Sequence, residues 1–323
     1  MQRILAPALS RFAAPHPPIH PQIRWLTSAQ FAAFTAASTD AHRLGTSSTG
    51  WVERFGDQVL ISYKDDATRE ALRTGLHSWS AEHGFSPQRI FGKFLPRHNA
   101  ERIAPTLLEG DAALALTTVA QENGMRFGLD FGAGYSAGLF IDQRANRAFV
   151  RRIAPRRLLN TFAYTCSFSV AAALAGAETV SIDLSKKSLD RGRENLALNS
   201  LDASTHRFYA DDVLDVLPRF ARKGETFDAI ILDPPTFSRG NKGRRFQVER
   251  DLEALLFAAF EVAAPRAKIL LSTNCTRLNR RALEAIARFT LKATRRAADF
   301  HAESPLPDVP PEAAAQTLWL SLK

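Results

Sequence analysis

The chain has 323 residues, of which 45% are hydrophobic and 23% are charged, so it can bury an ordinary core and is long enough for about two domains. Charged residues interrupt every apolar run before it reaches the roughly 18 to 20 residues that a membrane-spanning helix requires, so we expect a soluble protein with no membrane partner. The formal net charge of +9 favours a polyanionic partner such as a nucleic acid, although a basic balance also occurs in proteins that bind none.

The first part of the chain, residues 1–50, is expected to be an N-terminal extension that is partly disordered. Asp40 is its first acidic residue, and prolines cluster from Pro15 to Pro21, a composition typical of segments that do not fold on their own. An organellar transit peptide has the same acid-poor bias, so a targeting segment is a second interpretation of this extension.

Residues 51–150 have the pattern of a small α+β domain. A strand-like run from Gln58 to Tyr63 is followed by a helical stretch from Asp66 to His83, and then by segments punctuated by glycine and proline. We expect this domain to lie on the substrate side of the protein.

A glycine-rich segment from Gly132 to Gly138 comes close to the fingerprint of dinucleotide-binding proteins. Its spacing is one residue too long, and the fingerprint requires a helix directly after the glycines. The residues from Gly138 to Arg144 have strand character instead, so we expect the glycines to bend a hairpin rather than to bind a dinucleotide.

Residues 151–323 have the pattern of a doubly wound α/β domain. Short apolar runs of β type alternate there with amphipathic helical stretches, which predicts a parallel sheet flanked by helices. The predicted strands are Leu158–Phe162, Thr179–Asp183, Thr205–Tyr209, Ala229–Leu232 and Lys268–Thr273.

Acidic residues follow two successive strands of this domain. The first strand enters a turn of small residues, the next ends at Asp183 before a helix capped by Ser185, and the third ends at Asp211 and Asp212. A carboxylate at the end of the second strand can accept hydrogen bonds from ribose hydroxyls, and one at the end of the third strand can accept a hydrogen bond from an adenine amino group. Each acid alone is more often a helix cap or a loop residue, but their order predicts a crevice for a nucleoside cofactor.

The run Asp233-Pro234-Pro235 follows the next apolar strand. Two consecutive prolines fix φ and keep the preceding residue out of the helical region, so Asp233 is expected to be extended at the end of a buried strand. Its side chain and carbonyl group can then face a flat base.

Together these motifs resemble the class I methyltransferases of large-subunit (23S) ribosomal RNA, a family that includes the 5-methylcytosine and the 7-methylguanine enzymes. The similarity extends from Trp51 to Lys323, leaves no room for the PUA domain common in the family, and includes a segment from Gly134 to Arg147 that folds against the cofactor edge in the family. It implies a Rossmann-like seven-stranded methyltransferase fold with a smaller N-terminal α+β domain. It also implies S-adenosylmethionine as cofactor, ribosomal RNA as partner and a cytoplasmic location, and a homodimer is left open.

The resemblance also implies functional residues. The cofactor-binding residues that it implies are Asn160, Phe162, Tyr164, Thr165, Asp183, Leu184, Asp211, Asp212 and Asp233. The catalytic residues that it implies are Asp233, Pro234, Pro235, Phe237, Asn274 and Cys275. The chain departs from the family where Cys166 replaces a glycine of the cofactor loop and where Arg266-Ala267 replaces a Gly-Gly turn. A catalytically weakened RNA-binding member is therefore one alternative, and a methyltransferase of a small molecule or protein is another.

The two branches of the family differ in what they require of a cysteine. Methylation of cytosine at carbon 5 needs a thiolate that adds to carbon 6, a role that Cys275 would fill, whereas guanine N7 carries its own lone pair and needs only positioning. Cys166 and Cys275 are the two cysteines of the chain, and their spacing argues against a disulfide framework and a zinc site. A lone cysteine is usually a small buried hydrophobe, so we favour guanine N7 slightly.

A basic run directly after the catalytic motif is expected to contact RNA. Arg239, Lys242, Arg244 and Arg245 can hold phosphates, and Phe237 before them can stack on a base. A solvated loop is the alternative interpretation of the basic run, and a position in the core is the alternative for Phe237.

Overall fold

The computed structural model describes residues 22–96, 103–240, 243 and 245–323. In these residues the strands form a six-stranded sheet, a seven-stranded sheet and two two-stranded sheets. No helix of the described residues is long and apolar enough to cross a membrane.

The six-stranded sheet belongs to the N-terminal part of the chain. Its elements are β1 (Arg24–Trp25), α1 (Ser28–Ala36), β2 (Ala41–Thr46), β3 (Gly50–Phe55), β4 (Gln58–Tyr63), α2 (Asp66–His83), β5 (Arg89–Phe94) and β6 (Thr106–Glu109). The strands lie in the order β1-β2-β3-β4-β5-β6, and all neighbours are antiparallel except β4 and β5, which helix α2 connects.

This sheet begins earlier in the chain than the sequence suggested, because β1, α1 and β2 all lie in the segment expected to be an extension. The side chain of Thr27 accepts a hydrogen bond from the backbone of Gln30 and the side chain of Gln30 accepts one from the backbone of Thr27, a capping box that starts α1. Phe34 and Leu44 are buried in the same core as the strands. Residues 1–21, with the proline cluster, lie outside the described residues.

Two further elements connect the sheets. They are a hairpin of β7 (Thr117–Glu122) and β8 (Met125–Asp130), and helix α3 (Arg144–Ile153), which follows a 3₁₀ turn at Ile141–Gln143. The expected strand character from Gly138 to Arg144 is therefore wrong. Leu139 and Ile141 are buried while Phe140 between them is 49% exposed, so a turn produces the alternation that is typical of a strand.

The second part of the protein is built around the seven-stranded sheet. Its elements are β9 (Arg157–Thr161), α4 (Ser167–Ala173), β10 (Glu178–Asp183), α5 (Lys186–Leu198), β11 (Arg207–Ala210), α6 (Val213–Arg222), β12 (Phe227–Leu232), β13 (Phe237–Arg239), β14 (Arg245–Gln247), α7 (Val248–Phe260), β15 (Ala263–Thr273), α8 (Arg280–Ala293), β16 (Ala298–His301) and β17 (Gln316–Leu322). Strands β13 and β14 form a separate two-stranded hairpin. All five predicted strands are confirmed, with shifted ends.

The order of strands in this sheet is β11-β10-β9-β12-β15-β17-β16. The first five strands are parallel, and β17 and β16 are antiparallel to their neighbours, so the Rossmann-like seven-stranded fold is confirmed while the wholly parallel sheet is not. The chain moves outward from β9 to β11 and then crosses to β12 on the other side of β9. Such a reversal opens a crevice at the carboxyl ends of the central strands, which is where ligands bind in sheets of this kind.

The two sheets share one apolar core. Phe55 and Phe91 of the small sheet belong to the same buried cluster as Phe131 after the hairpin and Leu158 of β9. The rings of Phe91 and Phe131 are stacked with centroids 4.3 Å apart. The small sheet therefore packs against the domain that carries the crevice.

Candidate active site

The loop that follows β9 forms one wall of the crevice. Phe162, Tyr164 and Cys166 of this loop all have a left-handed backbone, with φ of 52°, 47° and 60°. This conformation costs a residue with a side chain roughly 1–2 kcal/mol, so other contacts are needed to hold the loop in place.

The carboxylate of Asp183, at the end of β10, supplies two of these contacts. Its Oδ2 accepts a hydrogen bond from the backbone N–H of Tyr164 at 2.8 Å, and its Oδ1 accepts one from the backbone N–H of Ser185 at 2.8 Å. Burial raises the pKa of Asp183, and the two hydrogen bonds oppose that rise. Because each carboxylate oxygen has a second lone pair, Asp183 can hold the loop and still accept hydrogen bonds from a ligand.

Helix α5 holds the same loop and the glycine-rich segment together. Asn195 donates its Nδ2 to the carbonyl of Thr165 at 2.9 Å, and Thr165 donates its Oγ1 to the carbonyl of Gly138 at 2.5 Å. Arg191 donates to the carbonyl of Ala137 at 2.7 Å. The glycine-rich segment is thus attached to the loop after β9.

Asp233 occupies the opposite side of the crevice, directly after β12. Burial raises its pKa to about 6, a hydrogen bond from Ser272 opposes this rise, and the charge of Asp142 adds to it. The side chain of Gln143 donates to Ser272 Oγ at 2.8 Å and lies 3.5 Å from Asp233 Oδ2. In its ionised form the Asp233 carboxylate only accepts hydrogen bonds, so it can receive N–H groups of a ligand.

Asp142 brings another carboxylate to the crevice from the turn before α3. Its Oδ2 accepts a hydrogen bond from the backbone N–H of Ala315 at 3.0 Å. Burial raises its pKa, and the charge of Arg147 opposes this effect. Arg147 is itself paired with Glu122, to which its Nε donates at 2.7 Å.

These groups surround one cavity of about 390 Å³ at the carboxyl ends of the central strands. The residues implied by the resemblance that line it are Asn160, Phe162, Tyr164, Asp183, Leu184, Asp233, Pro234, Pro235 and Asn274. The volume falls within the roughly 300–1,000 Å³ of small-molecule sites. Nine residues from four separate chain segments therefore meet at one site.

Other implied residues are not among the described residues that line this cavity; they are Thr165, Asp211, Asp212, Phe237 and Cys275. Asp211 forms an ion pair with Arg219, and Asp212 accepts a hydrogen bond from the backbone N–H of Leu214 at the start of α6. Phe237 is 51% exposed on β13, whereas Cys275 is 4% exposed and belongs to the apolar core that includes residues of α7 and α8. Their roles in binding or catalysis stay predictions.

Eleven of the residues that line the cavity were not predicted individually, and four of them lie between Phe140 and Arg147. Phe140, Asp142, Gln143 and Arg147 all line the cavity. The resemblance had drawn attention to their segment, but the strand-like alternation hid the turn that directs Asp142 and Gln143 inward.

The side chain of Cys166 points away from the cavity, although it replaces a glycine of the family's cofactor loop. It is fully buried, and a Cβ atom added at Gly192 of α5 would lie 2.4 Å from its Sγ. Burial raises the pKa of the Cys166 thiol to about 12. The extra side chain is thus accommodated by a glycine on the neighbouring helix rather than by the ligand space.

Comparison with known proteins identifies the family. A family model described as S-adenosylmethionine-dependent methyltransferase matches residues 66–320. The chain belongs to this family. Its cofactor is S-adenosylmethionine. The protein SMU.776, crystallised with SAH, superposes on this chain with a TM-score of 0.77 at 26% identity, over 92% of this chain and 79% of that one.

Curated relatives of this methyltransferase carry more specific names. Ribosomal RNA large subunit methyltransferase I of Erwinia tasmaniensis is 37% identical over 232 residues, which are 70% of this chain and 57% of that protein. Ribosomal RNA large subunit methyltransferase K/L of Psychrobacter sp. is 43% identical over 164 residues, which are 49% of this chain and 20% of that protein. The chain spans about half the length, or less, of the curated relatives it matches.

We predict that Asp183→Ala weakens binding of S-adenosylmethionine by about 1.5–3 kcal/mol, because ribose hydroxyls lose a charged acceptor. The change also removes the acceptor of the Tyr164 and Ser185 N–H groups, so Tm should fall. Calorimetric titration of the folded variant measures the affinity. Asp190→Ala, which removes an exposed carboxylate of α5, is the control and should bind normally; unchanged affinity in Asp183→Ala would contradict the assignment.

We also predict that Gly192→Ala weakens cofactor binding, because the new Cβ overlaps Cys166 and overpacking of this kind costs about 1–3 kcal/mol. The double variant Cys166→Gly with Gly192→Ala should bind as the wild type does, since glycine adopts the left-handed φ at position 166 without strain. The same titration, combined with Tm, measures both. If Gly192→Ala binds normally, or if Cys166→Gly does not restore binding, the two positions are not coupled.

Proposed function

We propose that this methyltransferase acts in the cytoplasm on a base of large-subunit ribosomal RNA, with guanine N7 as the methylated atom. Relatives named as ribosomal RNA large subunit methyltransferases support the substrate class. The homodimer left open by the sequence stays a prediction.

The observation that carries the proposal is the outward face of the β13–β14 hairpin. Phe237 is half exposed, and Arg239 and Arg245 are exposed cross-strand partners two residues further along. Like charges opposite each other destabilise a hairpin, so a polyanion that covers both guanidinium groups would relieve their repulsion. An aromatic ring beside paired arginines is a surface suited to single-stranded nucleic acid. Lys242 and Arg244 of the same basic run lie outside the described residues.

The inward face of this hairpin connects the same surface to the cavity. Ser238 lines the cavity, and the Phe246 ring, opposite Ser238, is buried with its centroid 5.5 Å from that of Phe162. A base that turns out of the RNA strand at Phe237 would therefore enter the cavity beside Asp233.

The cavity residues suit S-adenosylmethionine. Asp183 keeps lone pairs for ribose hydroxyls, and Phe162 and Tyr164 offer flat apolar surfaces. When bound, the cofactor supplies a methyl group on a positively charged sulfur, and the carboxylates of Asp142 and Asp233 favour positive charge in this cavity.

Asp233 and its neighbours would orient the base. As an ionised acceptor, Asp233 can receive N–H hydrogen bonds from the edge of the base, while Asn274, whose Oδ1 accepts from Thr236 at 2.8 Å, lines the same cavity. For guanine, positioning of this kind suffices because N7 already carries a lone pair.

The surroundings of Cys275 support guanine over cytosine. Methylation at carbon 5 requires a thiolate that reaches carbon 6 of the base. Cys275 is 4% exposed, packs in the apolar core and donates its backbone N–H to Thr273 Oγ1 at 3.1 Å. Its side chain is not among the described residues that line the cavity.

The alternatives have less support. A small-molecule methyltransferase gives no reason for paired arginines beside an exposed phenylalanine. A catalytically weakened protein was suggested by Cys166 and Arg266, but Cys166 points away from the cavity and Arg266 adopts a left-handed φ of 62° itself.

We predict that charge reversal of the hairpin, Arg239→Glu with Arg245→Glu, makes RNA binding weaker and less dependent on salt. Two lost phosphate contacts should lower the slope of log affinity against log salt by about 1.4 for a single strand. Titration of ribosomal RNA fragments at several salt concentrations measures this. Arg222→Glu with Lys223→Glu, at the end of α6, changes net charge equally and should alter the slope less; equal effects would contradict a specific hairpin site.

We predict that Cys275→Ala keeps most methyl transfer to RNA, because guanine N7 needs no thiol. Mass mapping of the modified nucleotide gives the base and the rate. RNA that contains 5-fluorocytosine provides a second readout, since it traps a covalent adduct only if a thiolate attacks carbon 6. An adduct that disappears in Cys275→Ala would establish the cytosine reaction instead.

A further inference from the structure

A second polar cluster lies outside the cavity, on the face of the small sheet that packs against the methyltransferase domain. Along this face the side chains change from apolar to polar. Phe55, Leu60 and Phe91 belong to the shared apolar core, and the next positions of the same strands on the same face are Glu53 on β3, Ser62 on β4 and Lys93 on β5.

Strand pairing brings the polar members of this face together. Trp51 pairs with Ser62, Ser62 pairs with Lys93, and Arg43 pairs with Glu53 in the adjacent row. Arg43 Nη2 lies 3.4 Å from Glu53 Oε1, and its guanidinium lies 4.9 Å from the centre of the Trp51 ring. We call these five residues the small-sheet polar cluster.

Several hydrogen-bonding groups of this cluster have no partner among the residues that the structure describes. Arg43 Nε and Nη1, Trp51 Nε1 and Ser62 Oγ are buried and make no hydrogen bond to the described residues. Arg43 is 4% exposed and Ser62 is fully buried. A buried polar group without a partner costs roughly 1–3 kcal/mol, so three neighbouring residues of this kind indicate a group that completes them.

The charge of the cluster indicates what that group is. Arg43 and Lys93 provide two positive charges and Glu53 one negative charge, and the unpartnered guanidinium and indole nitrogens can only donate. Burial lowers the pKa of Lys93, and the nearby charge of Glu53 only partly opposes this. Donors in excess and a net positive charge are complementary to an anion rich in acceptor oxygens.

The position of the cluster links it to the active site. The charges of Glu53 and Arg43 both act on Asp142, which lines the cavity. The ammonium group of Lys93 lies 5.3 Å from the centre of the Tyr135 ring, in the segment that α5 ties to the loop after β9. Trp51 and Lys93, near the ends of their strands, are partly accessible, so an anion can approach there while the nucleotide next to it enters the cavity.

We propose that the small-sheet polar cluster binds a phosphate group of the RNA strand close to the methylated nucleotide. This inference rests on the proposed function and adds a second contact surface, on the opposite domain from the β13–β14 hairpin. Lys93 contacts the phosphate first, and the buried donors of Trp51, Arg43 and Ser62 behind it complete its hydrogen bonds.

Two conservative variants of the full chain test the proposal. Trp51→Phe keeps an aromatic ring but removes the indole N–H, and Lys93→Met keeps an unbranched chain but removes the charge. Affinity for ribosomal RNA fragments should fall about tenfold in each, as for a hydrogen bond to a charged group. The log–log salt slope should fall by about 0.7 in Lys93→Met only. Affinity for S-adenosylmethionine should stay within error of the wild type, and Tm without RNA should not fall, because each change removes a buried group that costs stability while no phosphate is bound; a purely structural role would lower Tm.

Two controls distinguish a phosphate of the RNA strand from free inorganic phosphate. Lys292→Met removes an exposed lysine at the end of α8 and should leave RNA affinity and slope unchanged. Inorganic phosphate, added to the protein without RNA, should raise Tm little, because one phosphate lacks the contacts of the strand. If phosphate alone raises Tm strongly, and Lys93→Met abolishes that effect without weakening RNA binding, the site takes free phosphate and the proposal is wrong.

The remaining outcomes are also decisive. If the wild type binds and methylates RNA while Trp51→Phe and Lys93→Met bind it equally well, the cluster holds only water and the proposed function stands. If the wild type shows no salt-dependent RNA binding, the proposed function itself fails, and this inference fails with it.

Discussion

The hydrogen bonds of Asp183 are the contact on which the shape of the site depends. They join the backbone of Tyr164, in the loop after β9, to that of Ser185, at the start of α5. Without them two N–H groups at neighbouring strand ends would lack an acceptor, and only the contacts with α5 and the glycine-rich segment would hold a loop with three left-handed residues. Because the same carboxylate is available to a ligand, the group that binds is also the group that shapes the wall. A preorganised site of this kind loses less conformational entropy when it binds.

The opposite wall is oriented by buried charges. Arg147 is paired with Glu122, and Arg144 is paired with Asp308, all of them buried. Such pairs contribute little net stability because desolvation offsets their attraction. Their effect is on orientation, since they fix α3 and with it the turn that presents Asp142.

The raised pKa of Asp233 makes the stability of the fold depend on pH. Because this pKa is about 6 in the folded protein, the protonated carboxyl group adds to the free energy of unfolding below its ordinary pKa, and this contribution is lost as pH rises through about 6. The ionised form of Asp233 is therefore the less stable one in the empty cavity, and a positively charged ligand would stabilise it.

The sequence predicted the central sheet well because each strand there is a short apolar run that ends in a polar residue, and that pattern is local. Asp183 and Asp233 could be identified for the same reason. Asp142 and Gln143 could not, because a turn and a strand give the same alternation of buried and exposed residues at Leu139, Phe140 and Ile141. Strands β1 and β2 were missed because the proline-rich and acid-poor composition of the N-terminal residues predicted disorder there. The side chains of Thr165 and Cys275 were placed in the site by order along the chain, although their direction depends on tertiary contacts that no local pattern records.

Cys166 illustrates why a departure from a family motif has to be considered together with its neighbours. A side chain at a left-handed position of a cofactor loop suggests lost affinity when the loop is considered alone. In the folded protein the loop packs on α5, and Gly192 leaves room for the sulfur there. The backbone next to the cavity therefore keeps its course, and Thr165 remains bonded to Gly138. The space required by one residue is supplied by another 26 positions away, so the two positions form one structural unit, and the loss of glycine from the loop does not by itself imply a loss of cofactor binding.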